Sequence, residues 1–152
     1  MSELRDLYEE VILDHNRRPR NYPKNPPGAN RHAHGFNPLC GDEIRVHLKV
    51  EDGVIVDAGF EGAGCAISTA SASLMTQAVM GRRVAEAEDL FRAVHGALTD
   101  ESGKLQASPE RLGKLSVLAG VKEYPMRVKC ATLAWHTMRA ALASEGETVT
   151  TE

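Results

Sequence analysis

Little in this chain announces a function at first sight. Its 152 residues include only three cysteines, an odd number that excludes a complete disulfide framework. No two of them are spaced as Cys-x-x-Cys, the usual mark of a zinc ribbon. Aromatics are scarce, with one Trp, three Tyr and three Phe, which leaves little to stack on unpaired bases. Eighteen Lys and Arg stand against 21 Asp and Glu, so a net charge of −3 provides no general basic footprint for nucleic acid. No apolar run is long enough to span a bilayer. The opening Met1-Ser2-Glu3-Leu4-Arg5-Asp6 is charged and lacks the apolar core of a signal peptide, so a cytoplasmic location is the expectation.

Against this background the placement of the three cysteines stands out. Cys40 begins Cys40-Gly41-Asp42, Cys65 ends Glu61-Gly62-Ala63-Gly64-Cys65, and Cys130 ends Arg127-Val128-Lys129-Cys130. In a reducing compartment a cysteine is more often buried, catalytic or metal-bound than bridged. A lone cysteine is commonly just a small buried hydrophobe. The neighbours here are Gly, Asp, Lys and Arg more than apolar runs.

The length suits one domain with a core of its own. Residues 3–15 read as an amphipathic helix, with Leu4, Leu7, Tyr8, Val11 and Ile12 on one stripe and Ser2 as N-cap. From Asn16 to Pro38, five prolines predict a long irregular loop over the body of the domain. Ile44, Val46, Leu48 and Val50 then alternate with polar residues, which is the period of a half-buried strand. Glu51-Asp52-Gly53 has turn chemistry, and Val54, Val56, Ala58 and Phe60 continue as a partner strand. Antiparallel pairing brings the start of one strand beside the end of the other, and with them Cys40 beside Cys65.

Small residues after Cys65 lead into a helix that stops near Gly81, and the dipole at the N-terminus of that helix would favour a Cys65 thiolate. Residues 84–98 form a further helix with Leu90, Phe91, Val94 and Leu98 on one face. Ser108-Pro109-Glu110 starts a short helix through Leu112 and Leu115. Pro125 breaks the chain. A last helix begins near Arg127, with Val128, Ala131, Trp135, Met138 and Leu142 inward and Cys130 in its first turn. The polar stretch 144–152 reads as a frayed tail.

Cys40, Asp42, Cys65 and Cys130 together form a candidate tetrahedral metal site of three thiolates and a carboxylate. Four negative charges around a dication call for a nearby cation, for which Arg127 and Lys129 are well placed. The histidines compete as ligands. His32 and His34 lie in the Pro-rich stretch as His-Ala-His, where solvated histidines are common. His47 falls on the polar face of a strand, and His95 and His136 on helices, where structural or exposed roles are expected. His15 at the end of the first helix suits its negative pole.

Several segments together resemble a known family. Leu7-Tyr8-Glu9-Glu10-Val11-Ile12-Leu13-Asp14-His15 with Arg18-Pro19-Arg20-Asn21 is similar to the opening of the U-type iron–sulfur assembly proteins. Asn37-Pro38-Leu39-Cys40-Gly41-Asp42, Phe60-Glu61-Gly62-Ala63-Gly64-Cys65-Ala66-Ile67-Ser68 and Arg127-Val128-Lys129-Cys130-Ala131 resemble the three ligand loops of that family. Lys129 stands where the IscU branch has histidine, and Tyr124-Pro125-Met126-Arg127-Val128-Lys129 replaces its Leu-Pro-Pro-Val-Lys segment. The long interval between Cys65 and Cys130, with extra sequence around Gly96–Leu118, is similar to the SufU branch.

The resemblance implies an α+β fold of the IscU/SufU type, with a three-stranded antiparallel sheet packed against about five helices. It places a single domain over 1–143 and a flexible tail over 144–152. Two strands are plain in the pattern, and a third is sought within residues 30–38. The resemblance also implies zinc held by Cys40, Asp42, Cys65 and Cys130. The expected activity is acceptance of persulfide sulfur from a cysteine desulfurase of the SufS kind and delivery to the SufBCD assembly complex. Cys40 is the expected acceptor, with Arg127 steering the persulfide. The alternatives are a scaffold carrying iron or a [2Fe–2S] cluster on the same ligands, and a structural zinc module.

Overall fold

The computed structural model describes residues 2–38, 41–99, 125–143 and 147–150. Four helices fall within them: α1 (Ser2–Arg17), α2 (Ala66–Val79), α3 (Val84–Thr99) and α4 (Pro125–Ala143). The strands are β1 (Arg31–Asn37), β2 (Asp42–Glu51), β3 (Val54–Ala63) and β4 (Glu147–Thr150). The expected short helix through Leu112 and Leu115 lies outside the described residues.

The hairpin read from the sequence is present as β2 and β3. Its turn residues Asp52 and Gly53 both have positive φ, 52° and 76°, the conformation that matches the twist of two paired strands. One detail differs from the alternation. The register shifts between Lys49 and Val50, so that Lys49 faces Asp57 while Val50 faces Ile55. The extra residue, Val56, bulges outward and is exposed, and Ile55 enters the core in its place.

The third antiparallel strand is β1, which pairs with β2 so that Ala33 faces Val46 and Asn37 faces Asp42. The sheet order is β3-β2-β1-β4. The polar tail expected to fray contributes β4, which runs parallel to β1. Strand addition at an open edge draws on backbone N–H and C=O groups, so an apolar pattern is not required of it. The other edge, β3, is covered. Asn21 and Lys24 exchange backbone bonds with Phe60, and Gly81 and Arg82 do so with Ile55.

Ile44, Val46 and Leu48 of β2 and Ala58 and Phe60 of β3 point to the helices and are buried. Helix α4 lies over β1 and β2 and also contacts α2 and α3. Its stripe Ala131, Trp135 and Met138 is buried as expected. Pro125, read as a break, is instead its first residue, where the missing N–H costs nothing. Helix α2 is built of small residues, with Ser71, Ser73, Ala70 and Ala72 all buried, which lets it sit closely between α1 and α4. His15 lies in the last turn of α1, as read, but it faces inward. It is 1% exposed, and its Nδ1 meets Ser73 Oγ on α2 at 2.7 Å.

Candidate metal centre

The centre forms where β2 begins and α2 starts, against the first turns of α4. Asp42 opens β2 and is buried, while Cys65 comes two residues after the end of β3 at Ala63, with Gly64 between. The hairpin register places Glu43 opposite Ala63, so the chain delivers Asp42 and Cys65 to one corner. Asp42 Oδ1 accepts the Cys65 backbone N–H at 2.8 Å, and its Oδ2 lies 3.6 Å from Cys65 Sγ.

Cys65 is the N-cap of α2, with φ −70° and ψ 171°. Its Sγ accepts the Ser68 N–H at 3.4 Å. Sulfur here replaces the oxygen of a usual cap at the positive end of the helix. Two glycines make the approach feasible. A Cβ on Gly64 would lie 3.0 Å from Asp42 Oδ1, and Gly62, at φ 124°, holds its Cα against the Glu43 carbonyl oxygen.

Cys130 arrives from α4 and is 5% exposed. It lies in the second turn of that helix, since α4 begins at Pro125. The Ser71 hydroxyl donates to the Ala131 carbonyl at 2.5 Å, and this bond ties α2 to α4 next to Cys130. Gly64 stands in the loop that the sequence marked, but Ser71 was not read as part of the site. A serine in a run of small helical residues carries no local signal of its partner across the core.

Ligand atoms of Asp42, Cys65 and Cys130 all lie within 4.8 Å of one another. In a tetrahedral site with zinc–sulfur bonds near 2.3 Å, adjacent ligand atoms stand about 3.5–3.8 Å apart. The donor set of two thiols and one carboxylate therefore fits a borderline-soft dication such as zinc with small side-chain adjustments. Cys40, two residues before Asp42 in the chain, lies outside the described residues. Arg127, three residues before Cys130 on α4, is exposed, and Lys129 is partly buried.

The histidines considered as rival ligands stand elsewhere. His32, His34 and His47 are on the sheet face turned away from the helices, because each alternates with a residue that faces the core. His95 and His136 pack with Phe91 between α3 and α4. No helix among the described residues is long and apolar enough to cross a membrane.

Comparison with known proteins bears on the same residues. A family model described as "NifU-like N terminal domain" matches residues 7–143. The chain is 38% identical over 144 residues to a protein named zinc-dependent sulfurtransferase SufU from Bacillus subtilis, covering 95% of each chain. It is 41% identical over 136 residues to one named iron-sulfur cluster assembly scaffold protein IscU from Thermotoga maritima, covering 90% of this chain and 92% of the other. Among solved structures it resembles a putative iron-sulfur cluster assembly scaffold protein for the SUF system from Fervidobacterium islandicum AW-1. The TM-score there is 0.80 at 34% identity, over 90% of this chain and 96% of that one.

Proposed function

The chain belongs to the NifU-like N-terminal domain family, and on that premise we propose that it is a zinc-dependent sulfur acceptor in iron–sulfur cluster assembly. In this reading a cysteine desulfurase of the SufS kind supplies persulfide sulfur, and the SufBCD complex receives it. The observation that carries the proposal is the convergence of Asp42, Cys65 and Cys130 at the N-terminus of α2. The B. subtilis relative named as a zinc-dependent sulfurtransferase supports it.

Cys40 completes the proposed ligand set. Zinc bound there would keep the cysteines as thiolates at neutral pH and mask them until a partner arrives. Cys130 is buried and Cys65 is engaged as a helix cap, which leaves Cys40 as the proposed acceptor. Its thiolate attacks the outer sulfur of the desulfurase persulfide. A new S–S bond forms on Cys40, the old one breaks, and the desulfurase cysteine leaves as thiolate, so no oxidant is consumed. Arg127, exposed on α4 three residues before Cys130, is the cation proposed to steer the anionic persulfide.

The test mixes the protein with its desulfurase and cysteine and reads intact mass. A sulfur adduct mapped to Cys40, with faster alanine release, is expected. No adduct and no stimulation would overturn the reading. The IscU name of the T. maritima relative favours a second reading, a scaffold for a [2Fe–2S] cluster on the same ligands. Metal analysis of protein purified without oxygen separates the two: the proposed function requires about one zinc and no visible chromophore.

A further inference from the structure

The outer face of the sheet carries a second constellation that the cysteine centre does not use. His32 on β1 and His47 on β2 are directly opposed in register. Their Nδ1 atoms stand 2.8 Å apart, and His47 Nε2 lies 2.7 Å from Glu61 Oε1 on β3. His47 is 8% exposed and His32 is half-buried, while the Glu61 carboxylate reaches the solvent side of the cluster.

A carboxylate only accepts, so the hydrogen of neutral His47 sits on Nε2. His47 Nδ1 then presents a lone pair to His32 Nδ1, and what lies between the two nitrogens is either a proton or a cation. The Glu61–His47 pair has the form that orients metal-bound imidazoles, with an outer carboxylate fixing the tautomer and the ring orientation. Two imidazole nitrogens on one tetrahedral ion stand about 3.3 Å apart, so the pair needs to open by only about half an ångström.

His34 supplies a third imidazole. It is two residues from His32 on the same strand face and diagonal to His47. Its Nε2 is buried and makes no hydrogen bond among the described residues, lying 3.6 Å from Glu43 Oε1. Rotation of its ring toward His32 replaces that loose ion pair with a ligand bond. Arg45, opposite His34, is the adverse charge on this face. Its guanidinium lies 3.7 Å from Glu43, and that carboxylate offsets it. Lys49, beyond His47, is turned to Glu51 at 3.4 Å.

We propose that His32, His34 and His47, with Glu61 as the outer carboxylate, form a second metal site. It takes a divalent first-row ion suited to imidazole, such as Zn²⁺, Co²⁺, Ni²⁺ or Cu²⁺. It pins β1 to β2 on the face opposite the helices and holds no thiolate. Three imidazoles leave one position of a tetrahedral ion to water, the coordination of an open site rather than a closed structural one.

The probe is Ni²⁺, added to protein already loaded with one equivalent of zinc and followed by equilibrium dialysis and by paramagnetic broadening of amide resonances. The expected result is one further equivalent bound, with broadening centred on Ala33 and Val46 and sparing α2. His32→Gln and His34→Gln alter half-buried side chains and each weakens that binding about tenfold or more, with Glu61→Gln costing about tenfold. Circular dichroism checks that the variants are folded. If no further equivalent binds, or if binding survives H32Q together with H34Q, the histidine pair is a hydrogen bond only and the proposal fails.

Discussion

Asp42 spans two roles toward Cys65: its Oδ1 accepts the Cys65 backbone N–H at 2.8 Å while its Oδ2 lies 3.6 Å from the Cys65 sulfur. One carboxylate thus satisfies a backbone donor at the start of α2 and offers a ligand atom to the centre. Two substitutions separate these roles. Asp42→Ala removes both, and urea unfolding in the presence of a chelator should show a loss of about 1–3 kcal/mol from the orphaned N–H. Asp42→Asn keeps an amide oxygen for that N–H, so chelated stability should change little while bound zinc, measured by elemental analysis, falls.

Gly62 has φ 124°, and a Cβ there would overlap the Glu43 carbonyl oxygen. The neighbouring atom is backbone in a paired strand, so it has no side-chain freedom with which to yield. Gly62→Ala should lower unfolding stability by about 3 kcal/mol. The displaced arm carries Cys65, so metal content should fall with it. A change under about 0.5 kcal/mol by denaturant titration would contradict the contact.

Ser73 Oγ receives the Arg20 backbone N–H at 2.8 Å and meets His15 Nδ1 at 2.7 Å. This hydroxyl joins α1, the loop after it and α2 at a buried point. Ser73→Ala removes both bonds without changing side-chain shape much. A loss of about 1–3 kcal/mol is expected in thermal or denaturant unfolding, with no change in zinc stoichiometry.

His136 is held below the usual histidine range by burial, reinforced by the neighbouring charges of His95 and Arg139. A lowered pKa means that the unfolded chain binds the proton more readily. Stability is therefore full above about pH 6.5 and is lost as pH falls through that value toward the lower folded one. The slope in that window should reach at most about 1.4 kcal/mol per pH unit from this group. His136→Gln should flatten it, as measured by unfolding at a series of pH values.

The local parts of this fold were legible. The alternation from Ile44 to Val50, the Asp52-Gly53 turn and the small-residue helix after Cys65 are each set by neighbours along the chain. The Val56 bulge was not, because an alternating run gives no sign of where one strand slips against its partner. β4 was missed for a related reason: its pairing rests on backbone groups of β1. The burial of His15 was hidden too, since a hydroxyl 58 residues away is what accommodates it.

The candidate centre divides along the same line. The hairpin, read from the sequence as bringing Cys40 beside Cys65, delivers Asp42, two residues on from Cys40, to Cys65, and a helix start was enough to make Cys65 a cap. Sequence alone thus determined the strand, the turn, the helices and the chemistry of the donors, because these depend on short-range periodicity and residue type. Tertiary structure decided that Cys130 meets them, through α4 packing on α2 and the Ser71–Ala131 bond, and that His32, His34 and His47 share the opposite face of the sheet. Those contacts join residues distant in the chain, so they are fixed by the packing of whole elements and leave no period in the sequence to read.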